Sequence, residues 1–439
     1  MSVAPRALLV VVALVAAYAS ATGTVFQFDD AHTVAGNPAV QSWTAWAASL
    51  PGIRALTKAS FVASGAFAAP PLGHVLASVA LHAAAACTLL ALLLRWLPSL
   101  APRDARPAFA ATAAALAFAL HPAQTEAVTY VSGRSVVLAG TLYLLALLAW
   151  ERHRDRGSRA ARIASLAAFA LALAARETAW TLPVALVLIE VARGARCRDA
   201  LRTAGAHFAL LAAAALAVAA SPTYRWLLRE SLATRGPLDN LYAQVEGIAY
   251  LVTHPLLTLR VNFDPDVVVP PSPDAGWWLA AAALALALAA GFGSLRRAPW
   301  LGVGVLWTLL HLVSTNGPVA RYDLVNDRQW YLALAGPALV AGVLLARVPH
   351  AWVRTALAAG LCAGLGFATF ARNIDYGSEL ALWHATVRAS PAKSRAWNNY
   401  GWALQREGDV AAARQAYERA LALDPGNFRA RANRAALER

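Results

Sequence analysis

The chain has 439 residues, of which 59% are hydrophobic and only 14% charged, with a formal net charge of +14. A soluble globule carries about 25% charged residues, so this composition excludes an ordinary soluble enzyme and points to a polytopic membrane protein. The excess of cations would suggest nucleic acid in a soluble chain. Here it reflects basic residues gathered in cytoplasmic loops, and no nucleic-acid partner is expected.

A membrane span needs about 20 apolar residues. In chain order, apolar runs place spans near 7–22, 72–94, 107–121, 136–150, 161–175, 179–192, 203–220, 277–294, 299–315, 329–346 and 351–371, eleven in all. The opening stretch, a short basic segment and then Ala7 to Ala21, has the pattern of a cleavable secretory leader. The string of spans behind it favours a retained first helix.

Nearly all the cations are Arg; the lysines are Lys58 and Lys393. Arg95, Arg103 and Arg106 follow span two, and Arg152, Arg154, Arg156, Arg159 and Arg162 follow span four. Arg193, Arg196, Arg198 and Arg202 follow span six, Arg296 and Arg297 span eight, and Arg347 and Arg354 span ten. Under the eleven-span count all these fall on one side, which is therefore cytoplasmic. Residues 242–262 are apolar enough to cross, but one crossing there would turn the later basic loops outward. They read as an interfacial or re-entrant helix pair broken at Pro255.

Beyond residue 371 the sequence turns polar, dividing the chain into a transmembrane domain, 1–371, and a tail, 372–439. From Ser394 the tail fills the positions of a tetratricopeptide repeat: Trp397, Tyr400, Gly401, Ala413, Tyr417, Ala420 and Pro425. Trp383 and Pro391 match the second half of an earlier repeat. The expected fold class is thus all-α, a polytopic helical membrane domain with a short repeat module. Trp397, Tyr400 and Tyr417 are its candidate partner-binding residues.

Carboxylates are scarce near the spans, and their positions stand out. Asp29–Asp30 follows span one, where adjacent acids at a membrane surface are costly unless solvated, paired or used. His121-Pro-Ala-Gln-Thr-Glu-Ala-Val-Thr-Tyr-Val-Ser-Gly-Arg134 joins spans three and four. Arg176-Glu-Thr-Ala-Trp180 turns between spans five and six, and Arg321-Tyr-Asp-Leu-Val-Asn-Asp-Arg-Gln-Trp-Tyr331 leads into span ten. A carboxylate beside an arginine at a membrane boundary suits group transfer from a lipid phosphate. The acid accepts a proton from an acceptor hydroxyl, and the arginines hold the leaving phosphate.

Plainer readings exist for each cluster. Arg176–Glu177 is also an ion pair that caps two helices. Glu126 and Arg134 also fit one solvated helical face, and Arg321 and Arg328 also fit lipid-headgroup anchors. His82, His207 and His311 lie in apolar runs and read as packing residues. Cys87, Cys197 and Cys362 are far apart, so neither a disulfide nor a metal site is expected.

The order of Phe28-Asp-Asp, the 121–134 motif, Arg-Glu-Thr-Ala before Leu-Pro, Arg-Tyr…Asp-Arg-Gln-Trp-Tyr-Leu and a terminal tetratricopeptide repeat resembles the transmembrane-and-tetratricopeptide O-mannosyltransferases and their bacterial relatives. These belong to the GT-C superfamily of multi-span glycosyltransferases. The chain departs from that pattern at Val136, where an Asp is common, and at Arg176, where a Lys is.

The resemblance implies an inverting glycosyltransferase of a bacterial inner membrane. Its donor substrate is a polyprenyl-phosphate sugar, carrying mannose or another hexose, and no further cofactor is implied. Its acceptor is a protein hydroxyl on the periplasmic side, docked by the repeat. Asp29 or Asp30 would be the catalytic base, with Asp30 favoured. Glu126, Arg134, Arg176, Glu177, Arg321 and Arg328 would line the donor site. A non-catalytic membrane-anchored repeat scaffold and a lipid or polymer transporter are the alternatives. Acids at span ends rather than mid-span favour the enzyme over the transporter.

The distribution of arginines predicts a cytoplasmic N-terminus and a periplasmic tail. Reporter fusions after residues 156, 198 and 297 should report the cytoplasm, and one after residue 439 the periplasm. A cytoplasmic signal at 439 would mean that 242–262 crosses or that one span is wrong.

Overall fold

Each of the eleven apolar runs is helical. The computed structural model describes residues 3–50, 52–102, 106–317 and 319–437; Met1 and Arg103 lie outside them. The helices are α1 (Val3–Ala17), α2 (Leu72–Leu100), α3 (Pro107–Leu120), α4 (Arg134–Arg156), α5 (Arg159–Ala175) and α6 (Leu182–Ala192). They continue as α7 (Gly205–Ala220), α8 (Ala275–Ser294), α9 (Pro299–Val313), α10 (Ala335–Arg347) and α11 (Ala351–Asp375). Among the described residues every regular element is a helix.

Length separates these helices. Leu72–Leu100, Val131–Arg156, Ala275–Ser294 and Ala351–Asp375 are each long and apolar enough to cross a membrane. Two bent pairs raise the number to six: Cys197–Thr203 with Gly205–Ala220 at 62°, and Asp327–Ala333 with Ala335–Arg347 at 57°. The remaining apolar helices fall short of the about 20 residues of a straight crossing. By length and composition alone, four to six spans qualify among the described residues, and the count of eleven goes beyond them.

Packing follows from side-chain size. α3 is apolar all round, and Ala110, Ala111, Ala114, Phe118 and Leu120 are all buried, as a helix inside a bundle should be. It sits against α2 and α10, with α1 and α11 alongside. Gly342 of α10 lies over Ala110 and Ala114 of α3, and Gly336 over Gly304 of α9, so closely that a Cβ at either glycine would collide. Small residues at such crossings are how membrane helices gain close contact. α8 and α11, by contrast, leave large apolar side chains such as Leu286 and Phe367 exposed.

The loops hold more structure than their sequences announce. Trp43–Ala48 and Ala55–Gly65 are helices within the segment between α1 and α2. The 237–257 stretch is one helix, Pro237–Leu251, opening into a wider turn, Val252–Leu257, that contains Pro255.

The boundary at residue 371 falls inside α11, which runs on to Asp375. The tail then forms α12 (Glu379–Ala389), α13 (Ser394–Arg406), α14 (Val410–Leu423) and α15 (Phe428–Ala436). Tail and membrane part share one apolar cluster, in which Tyr130 and Phe263 pack with Tyr376, Leu382, Trp383 and Ala396.

Replacing Gly342 by Leu should destabilise the bundle by about 1–3 kcal/mol, the usual cost of overpacking, read as a lower thermal midpoint in detergent. Gly360→Leu on α11, where a Cβ meets nothing within 4 Å, should leave the midpoint unchanged.

Candidate functional site

Three loops are folded toward one point by local constraints. Pro122 ends α3, and Thr125–Val128 adds a single helical turn. Any Cβ at Gly133 would strike the Glu126 carbonyl, so glycine lets the chain double back into α4. The Asp29–Asp30 segment is tied to that turn. Thr33 and Ser132 are 2.5 Å apart through their hydroxyls, and Asp29 N–H donates to the Tyr130 hydroxyl at 3.2 Å.

The two adjacent acids have different surroundings. Asp30 is fully buried. Its carboxylate accepts from Gln27 N–H at 3.0 Å, from Ser132 N–H at 2.7 Å and from the Ser132 hydroxyl at 2.5 Å. Burial pushes its pKa up to about 6, against the pull of those donors. Asp29 is exposed. It faces a small cleft that it shares with Glu126, Tyr130, Asp323, Arg328 and Arg395. Partial desolvation there raises its carboxyl, while Arg328 and Arg395 pull the other way. Asp30 is thus occupied in holding the loop, while the Asp29 carboxyl faces the cleft with the Tyr130 hydroxyl beside it.

Arg328 stands between two clefts, lining both the one beside Asp29 and a second one beside Arg176. Glu126, itself buried, fixes it twice. Glu126 Oε2 accepts the Arg328 backbone N–H at 3.0 Å, and Oε1 lies 3.6 Å from Nε. Burial raises the Glu126 carboxyl, and Arg328 opposes this. Next to them Asp327 accepts Asn262 N–H at 2.6 Å. Burial, and then the Glu126 charge, push Asp327 well up.

Arg176 is buried and donates to the Ser135 hydroxyl at 2.7 Å. Burial, and then the charges of Arg54, Arg321 and Arg328, push its pKa well down. Four cations therefore crowd one region. Arg321 lies near Arg328 and Arg54, and burial followed by those charges pushes it down to about 10. A partly enclosed concentration of positive charge is the setting in which an anion binds.

Of the other expected donor-site residues, Arg134 lines neither cleft, and Glu177 sits within the arginine cluster with an unexpected partner. Arg134 is fully buried at the start of α4 and knits α2 to the 55–65 helix. It donates to Ser78 Oγ at 3.2 Å, Ser60 O at 2.9 Å, Ser64 Oγ at 2.6 Å and His74 O at 2.5 Å, and its guanidinium lies over the Phe61 ring. With its donors consumed, Arg134 is structural. Glu177 pairs not with its neighbour Arg176 but with Arg54 at 3.1 Å, and it accepts from Tyr224 at 2.9 Å. Glu126 and Arg134 are both buried, so they form no solvated face.

The tail supplies a wall. Arg395 binds Asp264 through Nε at 2.7 Å and Nη2 at 2.5 Å, and Asp323 at 2.6 Å. Asn262 donates to Ser390 at 2.6 Å. A larger groove then runs between the repeat and the Asp29 loop, bounded by Phe28, His32, Trp383, Asn398, Trp402 and Asn433. Tyr417 is fully buried and donates to Gln405 at 2.8 Å. Trp397 and Tyr400 pack beside it. These three build the repeat, and the groove surface belongs to their neighbours.

Sequence reasoning passed over Arg54, Asp264, Asp323, Arg395, Gln329 and His311. Asp323 and Gln329 lay inside a motif already singled out. Arg395 and Asp264 carry no local signal, because their pairing joins segments 131 residues apart. Among the described residues, no group of three or more His, Cys, Asp or Glu side chains is placed to share a metal ion.

Comparison with known proteins gives two findings. Residues 394–427 match the tetratricopeptide repeat family. A stretch of 112 residues is 36% identical to the protein O-mannosyl-transferase Tmtc1 of Drosophila melanogaster, covering 25% of this chain and 12% of that protein. No solved structure matches the chain. The likeness to the O-mannosyl-transferase covers a minority of both chains.

The folded state holds the Asp30 proton more tightly than the unfolded chain does, at a pKa of about 6 against 3.8. This contribution to stability is full below about pH 4 and is lost as pH rises through about 6. Across that window it amounts to something on the order of 3 kcal/mol. Asp30→Asn should flatten this part of the stability profile, measured by thermal unfolding in detergent between pH 4 and 7. An unchanged slope would mean that Asp30 is ionised throughout.

Proposed function

We propose that the chain is an inverting glycosyltransferase that moves a hexose from a polyprenyl-phosphate carrier to a protein hydroxyl on the periplasmic face of a bacterial inner membrane. In this reading all eleven apolar helices build the membrane domain. The observation that carries it is the position of Arg328, with the Asp29 carboxylate in one adjoining cleft and Arg176 in the other. The partial similarity to an O-mannosyl-transferase supports the same chemistry.

Asp29 accepts the proton of the acceptor hydroxyl, whose oxygen forms a bond to the anomeric carbon. The bond from that carbon to the phosphate oxygen breaks, and its electron pair leaves with the phosphate. A single displacement of this kind inverts the anomeric centre. Arg176 and Arg328 stabilise the charge that grows on the leaving phosphate, which is where fixed donors help most. Arg321 adds positive charge nearby. Asp30 positions the loop that carries the base. The acceptor polypeptide reaches Asp29 along the groove beside the repeat.

Asp29→Asn should lower transfer by about 10²–10⁴-fold while donor binding is kept. Asp30→Asn should lower it less. The measurement is transfer rate and donor binding with a labelled polyprenyl-phosphate sugar and the full chain. Normal transfer by the Asp29→Asn/Asp30→Asn double variant would remove the transferase mechanism and leave the scaffold reading in its place.

A further inference from the structure

The cleft beside Arg176 holds polar atoms that a phosphate does not explain. His311, at the end of α9, is 4% exposed, and Gln329 is 5% exposed. Both line the cleft together with Arg176 and Arg328. Gln329 Oε1, Gln329 Nε2 and His311 Nε2 have no hydrogen-bond partner among the described residues. His82, the histidine with a similar setting in α2, is satisfied at both ring nitrogens, by Tyr331 and by the Ala119 carbonyl.

The chemistry of these atoms restricts what can sit there. His311 Nδ1 lies 2.8 Å from the Trp307 carbonyl oxygen. A carbonyl only accepts, so Nδ1 carries the hydrogen and the neutral ring presents Nε2 as an acceptor. Gln329 offers one donor and one acceptor whichever way its amide is turned. The cleft therefore combines two cations and one amide donor with two acceptors. An ionised phosphate satisfies the cations and the amide N–H, but it has no hydrogen for the acceptors. A ligand that carries hydroxyl groups next to its phosphate satisfies all of them.

We infer that His311 and Gln329 are specificity-determining residues that read hydroxyls of the donor's sugar ring, beside the phosphate held by Arg176 and Arg328. The inference rests on the transferase reading and assigns two residues that the reading itself does not need. The enclosed space is about 30 Å³, room for about two water-sized groups. One phosphate oxygen and one hydroxyl-bearing edge of the ring fit there. The rest of the ring then lies toward Arg328, on the side of Asp29.

The test compares binding of polyprenyl-phosphate mannose with binding of bare polyprenyl phosphate of the same chain length, using full-length protein in detergent. Gln329→Met and His311→Phe should each weaken the sugar-bearing lipid about tenfold, one lost hydrogen bond's worth, and leave the bare lipid unchanged. His311→Gln, which restores an acceptor, should recover part of the loss. Arg176→Met should weaken both lipids. If one variant unfolds on heating earlier than the wild type, the other carries the comparison. Equal weakening of both lipids, or of neither, overturns the inference and leaves these atoms as ligands for water only. Wild-type protein that binds the bare lipid as tightly as the sugar-bearing one also overturns it, while the arginine cleft stands as a phosphate site. Wild-type protein that binds neither lipid overturns the transferase reading itself.

Discussion

The grip of Glu126 on residue 328 is the contact on which the site depends. One buried carboxylate takes the backbone N–H and faces the guanidinium of the same residue. This fixes both where the loop before α10 runs and where its cation points. Removing one partner of a buried pair leaves the other uncompensated, at a cost of about 3–5 kcal/mol. Because Arg328 borders two clefts, a shift in this pair moves both at once. The neighbouring Asp327–Asn262 contact carries the constraint onward to the 259–274 loop.

That loop is where the repeat enters the site. Asp264 is gripped by Arg395, and Asn262 by Ser390, so the tail does not hang from the membrane domain as a free docking module. Its first helices share an apolar cluster with Tyr130 and Phe263, residues from two different loops of the membrane part. A single repeat with flanking fragments is shorter than the roughly three repeats that stand alone. Here part of the packing comes from the membrane domain.

The acidic pair shows how two identical side chains take different parts through backbone geometry. Asp30 meets three donors at the end of a turn, and its solvation is replaced by protein. Asp29 turns its carboxylate to the cleft, beside the Tyr130 hydroxyl to which its own N–H is tethered. The first arrangement gives a rigid loop, and the second a carboxylate able to move a proton. The arginines divide in the same way. Arg134 spends its donors on Ser60, Ser64, Ser78 and His74, and Arg176 keeps most of its guanidinium for the cleft.

By itself, the sequence determined the helical class, the position of all eleven apolar helices, the repeat at the tail and the loops that carry the polar residues. These are read from apolar runs, turn residues and repeat spacing, which are local properties of the chain. Only the tertiary structure decided which of Asp29 and Asp30 faces the cleft, that Arg134 is structural, that Glu177 turns to Arg54, and that Arg395 closes the site from the tail. Each of those outcomes depends on a partner more than 40 residues away or on burial, as with the 123 residues between Arg54 and Glu177. Local pattern carries no information about such distances, because burial and long-range pairing are fixed only when the helices pack.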